Sequence, residues 1–176
     1  MKKYVLTLSK TFPKWHPKAG EPTYFKEKRA NAIYHMRHPE VFEPGEPNNG
    51  DEKYHTLRGN YERWEKIFEQ INQGEACLVL KQWSGVPYRS KQETIAVLTN
   101  EDGIGLQKLQ FKGLFPFAGE KRAYELYIDG EIVCKIMPLA TNDGLSYEDW
   151  LAWMTKSPKA DLSKPLAIIH FTKFRY

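Results

Sequence analysis

Residues 60–80 constrain the fold of this chain more strongly than any other stretch of its sequence. Apolar side chains recur at spacings of three and four over residues 61–71, which predicts a helix with one buried face. Asn60 is a good N-cap for that helix, and Gly74 suits the left-handed position just after its last turn. The apolar run at residues 76–80 then predicts a buried strand. At 176 residues the chain can bury both elements in a hydrophobic core without needing a metal or a disulfide.

Helices and strands are both predicted along the rest of the sequence. One helix is predicted from a cap at Thr23 to about His35. A shorter helix is predicted from Ser146, which forms a capping box with Asp149, to about Met154. Residues 39–50 are rich in proline and glycine and predict an irregular loop. The other segments predict strands or hairpins, at residues 3–8, 76–83, 88–98, 103–119, 124–136 and 166–176, and the hairpin at 124–136 turns on an Asp-Gly pair.

Residues 53–58 bring a lysine, a threonine hydroxyl and an arginine into six positions. In a fully extended chain, alternation would send Lys53 and Thr56 to opposite sides. A bend is therefore predicted between them. With Arg58 nearby and the free N–H groups of the following helix, such a bend would form a pocket suited to a phosphate or a nucleobase carbonyl. The alternative interpretation is an exposed basic turn that precedes a helix.

A second group of basic and aromatic residues is predicted on the two strands that follow the helix. Lys81 and Trp83 alternate with the apolar residues of their strand and therefore face away from the core. Three cations beside an aromatic ring are typical of a groove that binds phosphates and stacks bases. The alternative is that Trp83 packs beneath a loop. The predicted groove residues are Lys81, Trp83, Arg89 and Lys91.

Charge is distributed unevenly along the chain, although the net charge is only +4. Residues 1–38 contain nine lysines and arginines and two glutamates, a net charge of +7. Residues 39–52 contain five acidic residues and no basic one, a net charge of −5. A basic region beside an acidic loop could steer and orient a polyanion such as RNA. Ordinary solvated charge is the alternative interpretation.

The cysteines and the hydropathy pattern bear on the compartment. Cys77 and Cys134 both lie in apolar runs, and two buried free thiols are typical of a reducing cytoplasm. The sequence contains no run of about 18 apolar residues and no signal-peptide core at its amino end. A cytoplasmic protein without membrane insertion is therefore predicted.

Metal and cofactor chemistry receive little support from the sequence. His16, His35 and His38 could be combined with a cysteine, but no second Cys-x-x-Cys or His-x-x-x-His pair completes a zinc site. A glycine-rich phosphate loop and a Gly-x-Ser-x-Gly nucleophile elbow are both missing. No metal and no cofactor are therefore predicted.

The Lys-x-x-Thr-x-Arg pattern, the helix after it and the buried strand at 76–80 together resemble the ASCH family of PUA-like domains. Residues 139–146, followed by a short helix with Trp150 and Trp153 and a closing strand, are similar to the end of that family. The resemblance implies a single domain over residues 1–176. Its implied fold is α+β, a curled, mostly antiparallel PUA-like β-barrel with about three flanking helices. The family-like parts are residues 1–12, 50–100 and 139–176, whereas residues 102–138 are less family-like.

The resemblance implies binding of RNA or a modified nucleoside in the cleft where residues 53–58 meet the barrel. The implied contacts are Lys53, Thr56 and Arg58, with the groove residues described above. Some family members are instead amidohydrolases that deacetylate N4-acetylcytidine with a lysine, a threonine and a glutamate. Lys53 and Thr56 occupy the first two of those positions, and Glu75 and Glu93 are candidates for the third. A protein-interaction module that docks through the aromatic residues 115–117 is a further possibility.

The enzyme hypothesis makes one structural demand. Thr56 would act as the nucleophile or position a water, and Lys53 would act as the base with its pKa lowered by Arg58 and by burial. A carboxylate would then have to lie within hydrogen-bond reach of Lys53 or Thr56. The presence of that carboxylate separates the enzyme hypothesis from simple binding.

Overall fold

The computed structural model describes residues 1–39, 49–116, 122–133, 136–158 and 161–176. Across these ranges the chain is α+β, with four α-helices and eight strands in two mostly antiparallel sheets. A short 3-10 helix at Asn100–Asp102 joins the fourth and fifth strands. The elements in chain order are β1 (Lys2–Leu8), α1 (Phe25–Arg37), β2 (His55–Arg58), α2 (Tyr61–Asn72), β3 (Ala76–Trp83), β4 (Gln92–Leu98), β5 (Gly105–Pro116), β6 (Arg122–Ile128), β7 (Glu131–Ile132), α3 (Met137–Asn142), α4 (Tyr147–Lys156) and β8 (Leu166–His170).

The smaller sheet has the strand order β1-β3-β4. β1 runs parallel to β3, and β4 runs antiparallel to it. The first five residues of β3 are all buried, as the apolar run predicts for a central strand. This sheet places Lys81 and Trp83 at the far end of its central strand.

The larger sheet is antiparallel throughout, with the strand order β2-β8-β5-β6-β7. Its edge strand β2 carries Thr56 and Arg58, and its next strand β8 is almost fully buried. Arg58 Nη2 donates a hydrogen bond to the main-chain oxygen of Thr7 on β1 at 2.8 Å, so a side chain connects the edges of the two sheets. In the described residues the sheets do not close into a barrel. The α+β class is confirmed, and the curled PUA-like barrel is not.

Helix α2 matches the prediction from its sequence pattern. Its buried residues are Trp64, Ile67, Phe68 and Ile71, which pack against β3, β5 and β8. The Asn60 side chain accepts a hydrogen bond from the Arg63 N–H at 3.2 Å, so the predicted N-cap is confirmed. The chain turns out of the helix at Gly74, whose φ is +75°.

The carboxyl-terminal helices are partly predicted. Ser146 Oγ accepts a hydrogen bond from the Asp149 N–H at 3.1 Å, and α4 starts at the next residue, as expected for an N-cap. Trp150 belongs to this helix, and its side chain is buried. The six-residue helix α3 was not predicted, and it proves important because it ends at Asn142, beside Asp143.

Three predicted boundaries are wrong. The strand predicted from Tyr88 begins only at Gln92, because residues 88–91 still belong to the turn, where Tyr88 has a φ of +64°. The last strand ends at His170. Thr23 does not cap α1, because its hydroxyl donates to the main-chain oxygen of Ser9 at 2.6 Å and Tyr24 occupies the cap position.

Some predicted features lie outside the described part of the chain. These are Cys134, most of the loop at 39–50, Phe117, and the side chains of Phe115 and Pro116. Cys77 lies within the described part of the chain, and its thiol is buried and free.

Candidate functional site

The predicted bend in the 53–58 motif is present at Tyr54. Before the bend, Lys53 forms an isolated antiparallel bridge with Asp143, and its N–H donates to the main-chain oxygen of Lys28 at 3.0 Å. The Tyr54 N–H donates to the main-chain oxygen of Asn142 at 2.8 Å. After the bend, β2 begins at His55. The start of the motif is therefore fixed by α1 and α3, and its end by β8.

Lys53 is held inside the protein by an ion pair. Its side chain is 0% exposed, and its ammonium group donates to the Asp143 carboxylate and, at 2.6 Å, to the Asp143 main-chain oxygen. The same ammonium lies 4.0 Å from the centroid of the Phe25 ring. A buried charge requires a partner of this kind because water is excluded.

Both members of the pair have shifted pKa values. Burial lowers the pKa of Lys53 to about 8, against the opposing effect of Asp143, and the nearby charges of Arg58 and Lys28 lower it further. Burial also raises the pKa of Asp143, although Lys53 and Arg58 act in the opposite direction. A lysine with a pKa in this range can exchange a proton near neutral pH.

Thr56 and Arg58 are linked directly. Arg58 Nη1 donates to Thr56 Oγ1 at 2.9 Å and to the main-chain oxygen of Leu57 at 2.7 Å. Thr56 is 3% exposed, and Arg58 is partly exposed. Burial lowers the pKa of Arg58, and the neighbouring charge of Asp143 opposes that effect. The three motif side chains therefore belong to one electrostatic cluster.

A cavity of about 800 Å³ opens next to this cluster. Residues 57–62, at the junction of β2 and α2, line part of it. The rest of the lining comes from Trp153 and Met154 of α4, from Ser157 and from residues between 161 and 166. Arg58 is the member of the cluster that lines this cavity, whereas Lys53, Asp143 and Thr56 do not. The volume is within the range typical of small-molecule sites, roughly 300 to 1,000 Å³.

The predicted cationic groove is only partly assembled. Lys81 and Trp83 lie on β3 and are half-buried, but Arg89 and Lys91 are exposed in the turn before β4. The Trp83 ring lies 5.3 Å from the ring of Tyr88, centroid to centroid. Lys81 pairs in register with Thr7, whose main-chain oxygen accepts the Arg58 hydrogen bond. One strand therefore separates the groove residues from Arg58.

Neither predicted carboxylate is the partner of Lys53. Glu93 lies 3.9 Å from Lys26 in an exposed ion pair, and the main-chain oxygen of Glu75 accepts from the Lys2 N–H at the start of β3. Asp143 takes that place instead. Asp143 was not predicted as that partner, because the pattern at 139–146 indicates only the approach to a helix.

A polar cluster next to the motif, buried at its two histidines and partly exposed at Tyr176, was not predicted. The rings of His55 and His170, both 0% exposed, lie 5.6 Å apart. The Tyr176 hydroxyl lies 2.8 Å from His55 Nε2 and accepts a hydrogen bond from Asn142 Nδ2 at 3.2 Å. Burial lowers the pKa of His170 to about 3 and that of His55 well below its usual value, and it raises the pKa of Tyr176. Through its hydrogen bond with Asn142, Tyr176 contacts the residue that precedes Asp143 in the chain.

Comparisons with known proteins do not assign a function. The chain matches no protein-family model, no curated protein and no solved structure. In the described ranges, no three or more histidine, cysteine, aspartate or glutamate side chains are grouped closely enough to hold a metal ion. The helices of those ranges are all too short or too polar to span a membrane. A proposal must therefore rest on the motif cluster and its cavity.

Proposed function

We propose that this protein binds RNA or a modified nucleoside in the cavity beside Arg58. The observation that carries the proposal is the position of Arg58, which lines an open cavity of about 800 Å³ while three hydrogen bonds fix its guanidinium group. A guanidinium group has five N–H donors, so these three bonds leave two for a ligand. A fixed arginine loses little entropy when it binds a phosphate or a base edge.

The start of α2 supplies further donors on the same wall. Asn60 caps the Arg63 N–H, whereas the N–H groups of Tyr61 and Glu62 belong to the first turn, where the helix provides no acceptor. Both residues line the cavity. A base carbonyl or a phosphate oxygen in the cavity could accept from these groups as well as from Arg58.

The proposal is tested by removing the Arg58 charge. We expect Arg58→Gln to weaken the binding of a short single-stranded RNA at least tenfold, measured by fluorescence anisotropy. Lys66→Gln is the matched control, because it removes one positive charge from the exposed face of α2. Because Arg58 also joins the two sheets, the unfolding free energy of each variant is measured in parallel. An equal loss in both variants, or no RNA or nucleoside binding by the wild type, would contradict the proposal.

A second candidate function is hydrolysis of an acetylated cytidine. The observation in its favour is the Asp143 carboxylate on Lys53, which meets the structural demand of the enzyme hypothesis. In that reaction Lys53 would first have to lose its proton, which a pKa of about 8 permits near neutral pH. The neutral amine would then take the proton from a water or from Thr56 as that oxygen bonds to the acetyl carbon, and the bond to N4 of cytosine would break as N4 regains the proton. Asp143 would stabilise the ammonium group that forms. Access is the obstacle, since Lys53, Thr56 and Asp143 are 0%, 3% and 4% exposed.

Thr56→Val separates the two candidate functions. If Thr56 only supports Arg58, losing its hydroxyl should cost about 1 kcal/mol of binding free energy. If Thr56 is catalytic, the turnover of N4-acetylcytidine should fall a hundredfold or more while affinity changes little. We expect weak or no deacetylation by the wild type, because the three side chains are buried. The reaction is monitored by chromatography of the nucleosides. Robust turnover that Thr56→Val and Lys53→Met both abolish would establish the enzyme instead.

A further inference from the structure

We infer that Trp153, and not the sequence-predicted Trp83, is the surface on which a nucleobase stacks. The inference rests on the proposed function, and it names the chemical group that the cavity selects. Trp153 is half-buried on α4 and lines the same cavity as Arg58 and the start of α2. A base on its indole would therefore share the cavity with the fixed donors of Arg58.

The indole of Trp153 is held in place by other aromatic rings. Their centroids lie 5.6 Å away for Phe12, 5.9 Å for Trp15, 5.8 Å for His16 and 5.8 Å for Phe25. The interplanar angles range from 44° to 84°, so none of these four rings lies flat on the indole. An indole that is fixed by tilted and edge-on rings, and that also lines the cavity, can stack a base at little cost in entropy.

Trp83 lies in a different environment. It ends β3 beside a turn, and among the described residues its ring lies near that of Tyr88, which is 90% exposed. Trp83 does not line the cavity beside Arg58, so a base stacked on it would not reach that guanidinium group. The two tryptophans therefore differ in their surroundings, although both are half-buried.

The charges in the cavity favour a base rather than a polyphosphate. Arg58 and Lys164 are offset by Glu62 and Asp161, and Lys164 already forms an ion pair with Asp161 at 3.1 Å. The lining also contains apolar side chains, among them Leu57, Met154, Leu162 and Leu166. A partly apolar cavity with balanced charge suits one unstacked nucleoside of an RNA chain.

The test uses cytidine 5′-monophosphate and, as a probe without a base, ribose 5-phosphate. We expect Trp153→Leu to weaken binding of the nucleotide about tenfold, which is within the range known for base stacking, and to leave ribose 5-phosphate binding unchanged. Trp83→Leu is the matched control and should leave both affinities unchanged. Raising the salt from 50 to 200 mM should change the affinity of the wild type for the nucleotide only slightly. Affinities are measured by NMR titration.

A second variant guards against misfolding, because Trp153 belongs to a packed aromatic cluster. Trp153→Phe keeps a ring in that cluster, and we expect it to remove most of the fluorescence quenching that the nucleotide causes in the wild type. Trp83→Phe should retain that quenching. Loss of nucleotide binding in Trp83→Leu, or equal effects at both positions, would overturn the inference. Binding that depends on Arg58 but not on Trp153 would also overturn it and leave the proposed function intact, whereas no nucleotide or RNA binding by the wild type would overturn both.

Discussion

At the scale of single residues, the molecule keeps a lysine and an aspartate away from water at the point where α3 meets the 53–58 motif. A buried pair of this kind contributes little net stability, because the attraction between the charges is offset by the cost of removing both from water. Removing one partner is different, because the other charge is then left without compensation. The pair of Lys53 and Asp143 therefore fixes the position of the motif more than it stabilises the protein.

This asymmetry can be measured in a double-mutant cycle. We expect Lys53→Met or Asp143→Asn alone to lower the free energy of unfolding by about 3 to 5 kcal/mol. The double variant should lose clearly less than the sum, because neither charge then remains unpaired. The exposed pair of Lys26 and Glu93 is the internal control, and Lys26→Met should cost at most about 1 kcal/mol. Strictly additive losses in urea denaturation would show that the two groups do not act as a pair.

The buried histidines predict how stability depends on pH. Neither ring nitrogen of His170 has a hydrogen-bond partner among the described residues, and burial lowers its pKa to about 3. Between about pH 6.5 and pH 3 the unfolded chain therefore binds a proton that the folded protein does not. The stability contributed by neutral His170 is present above pH 6.5 and is lost as the pH falls, by up to about 1.4 kcal/mol per pH unit.

His170→Phe tests this dependence. The ring size is kept and no titratable group remains, so we expect the plot of unfolding free energy against pH to become flatter below pH 6.5 by the equivalent of one proton. An unchanged slope for His170→Phe would mean that His170 is already protonated in the folded protein.

At the scale of elements, α2 shows what periodicity can predict. The spacing of its apolar residues, its cap at Asn60 and its end at Gly74 are local properties of the sequence, and all three are confirmed. The helix α3 was not predicted, because its six residues are too few for a periodic pattern and it has a proline near its start. The role of Asp143 was missed for a different reason, since its contact with Lys53 spans 90 positions and depends on where α3 packs. Local signals therefore predicted the motif and its bend, and long-range packing determined its partner.

The packing of α2 leads to a stability prediction. Trp64 is 5% exposed on the face that packs against the sheets, so Trp64→Ala should leave a cavity and lower the free energy of unfolding by about 3 kcal/mol or more. Glu69→Ala, on the exposed face of the same helix, should change it by less than about 0.5 kcal/mol. Denaturant titration of both variants provides the measurement. A near-neutral Trp64→Ala would mean that the helix contributes little to the core.

At the scale of the whole molecule, the two sheets are joined at Arg58. This arrangement brings the cavity close to the turn at residues 84–91, which is called the basic turn because it carries Arg89 and Lys91. β1 lies between them, because its residue Thr7 contacts Arg58 through its main-chain oxygen and pairs with Lys81 in register. An RNA strand with one base in the cavity could therefore continue across β1 toward the exposed side chains of Arg89 and Lys91. In this arrangement the cavity selects the base, and the turn contributes phosphate contacts that carry no sequence information.

The salt dependence of RNA binding separates these two contributions. Each phosphate contact on a single strand contributes about 0.7 to the slope of log affinity against log salt, so replacing Lys81, Arg89 and Lys91 with alanine should reduce the slope by about 2. Trp153→Leu should lower affinity without changing the slope, because stacking releases no counterions. The matched control replaces three exposed lysines elsewhere on the protein, Lys66, Lys112 and Lys173, and changes the net charge equally. Equal slopes for the two triple variants would show that the basic turn attracts RNA only through net charge and that no strand follows this path across β1.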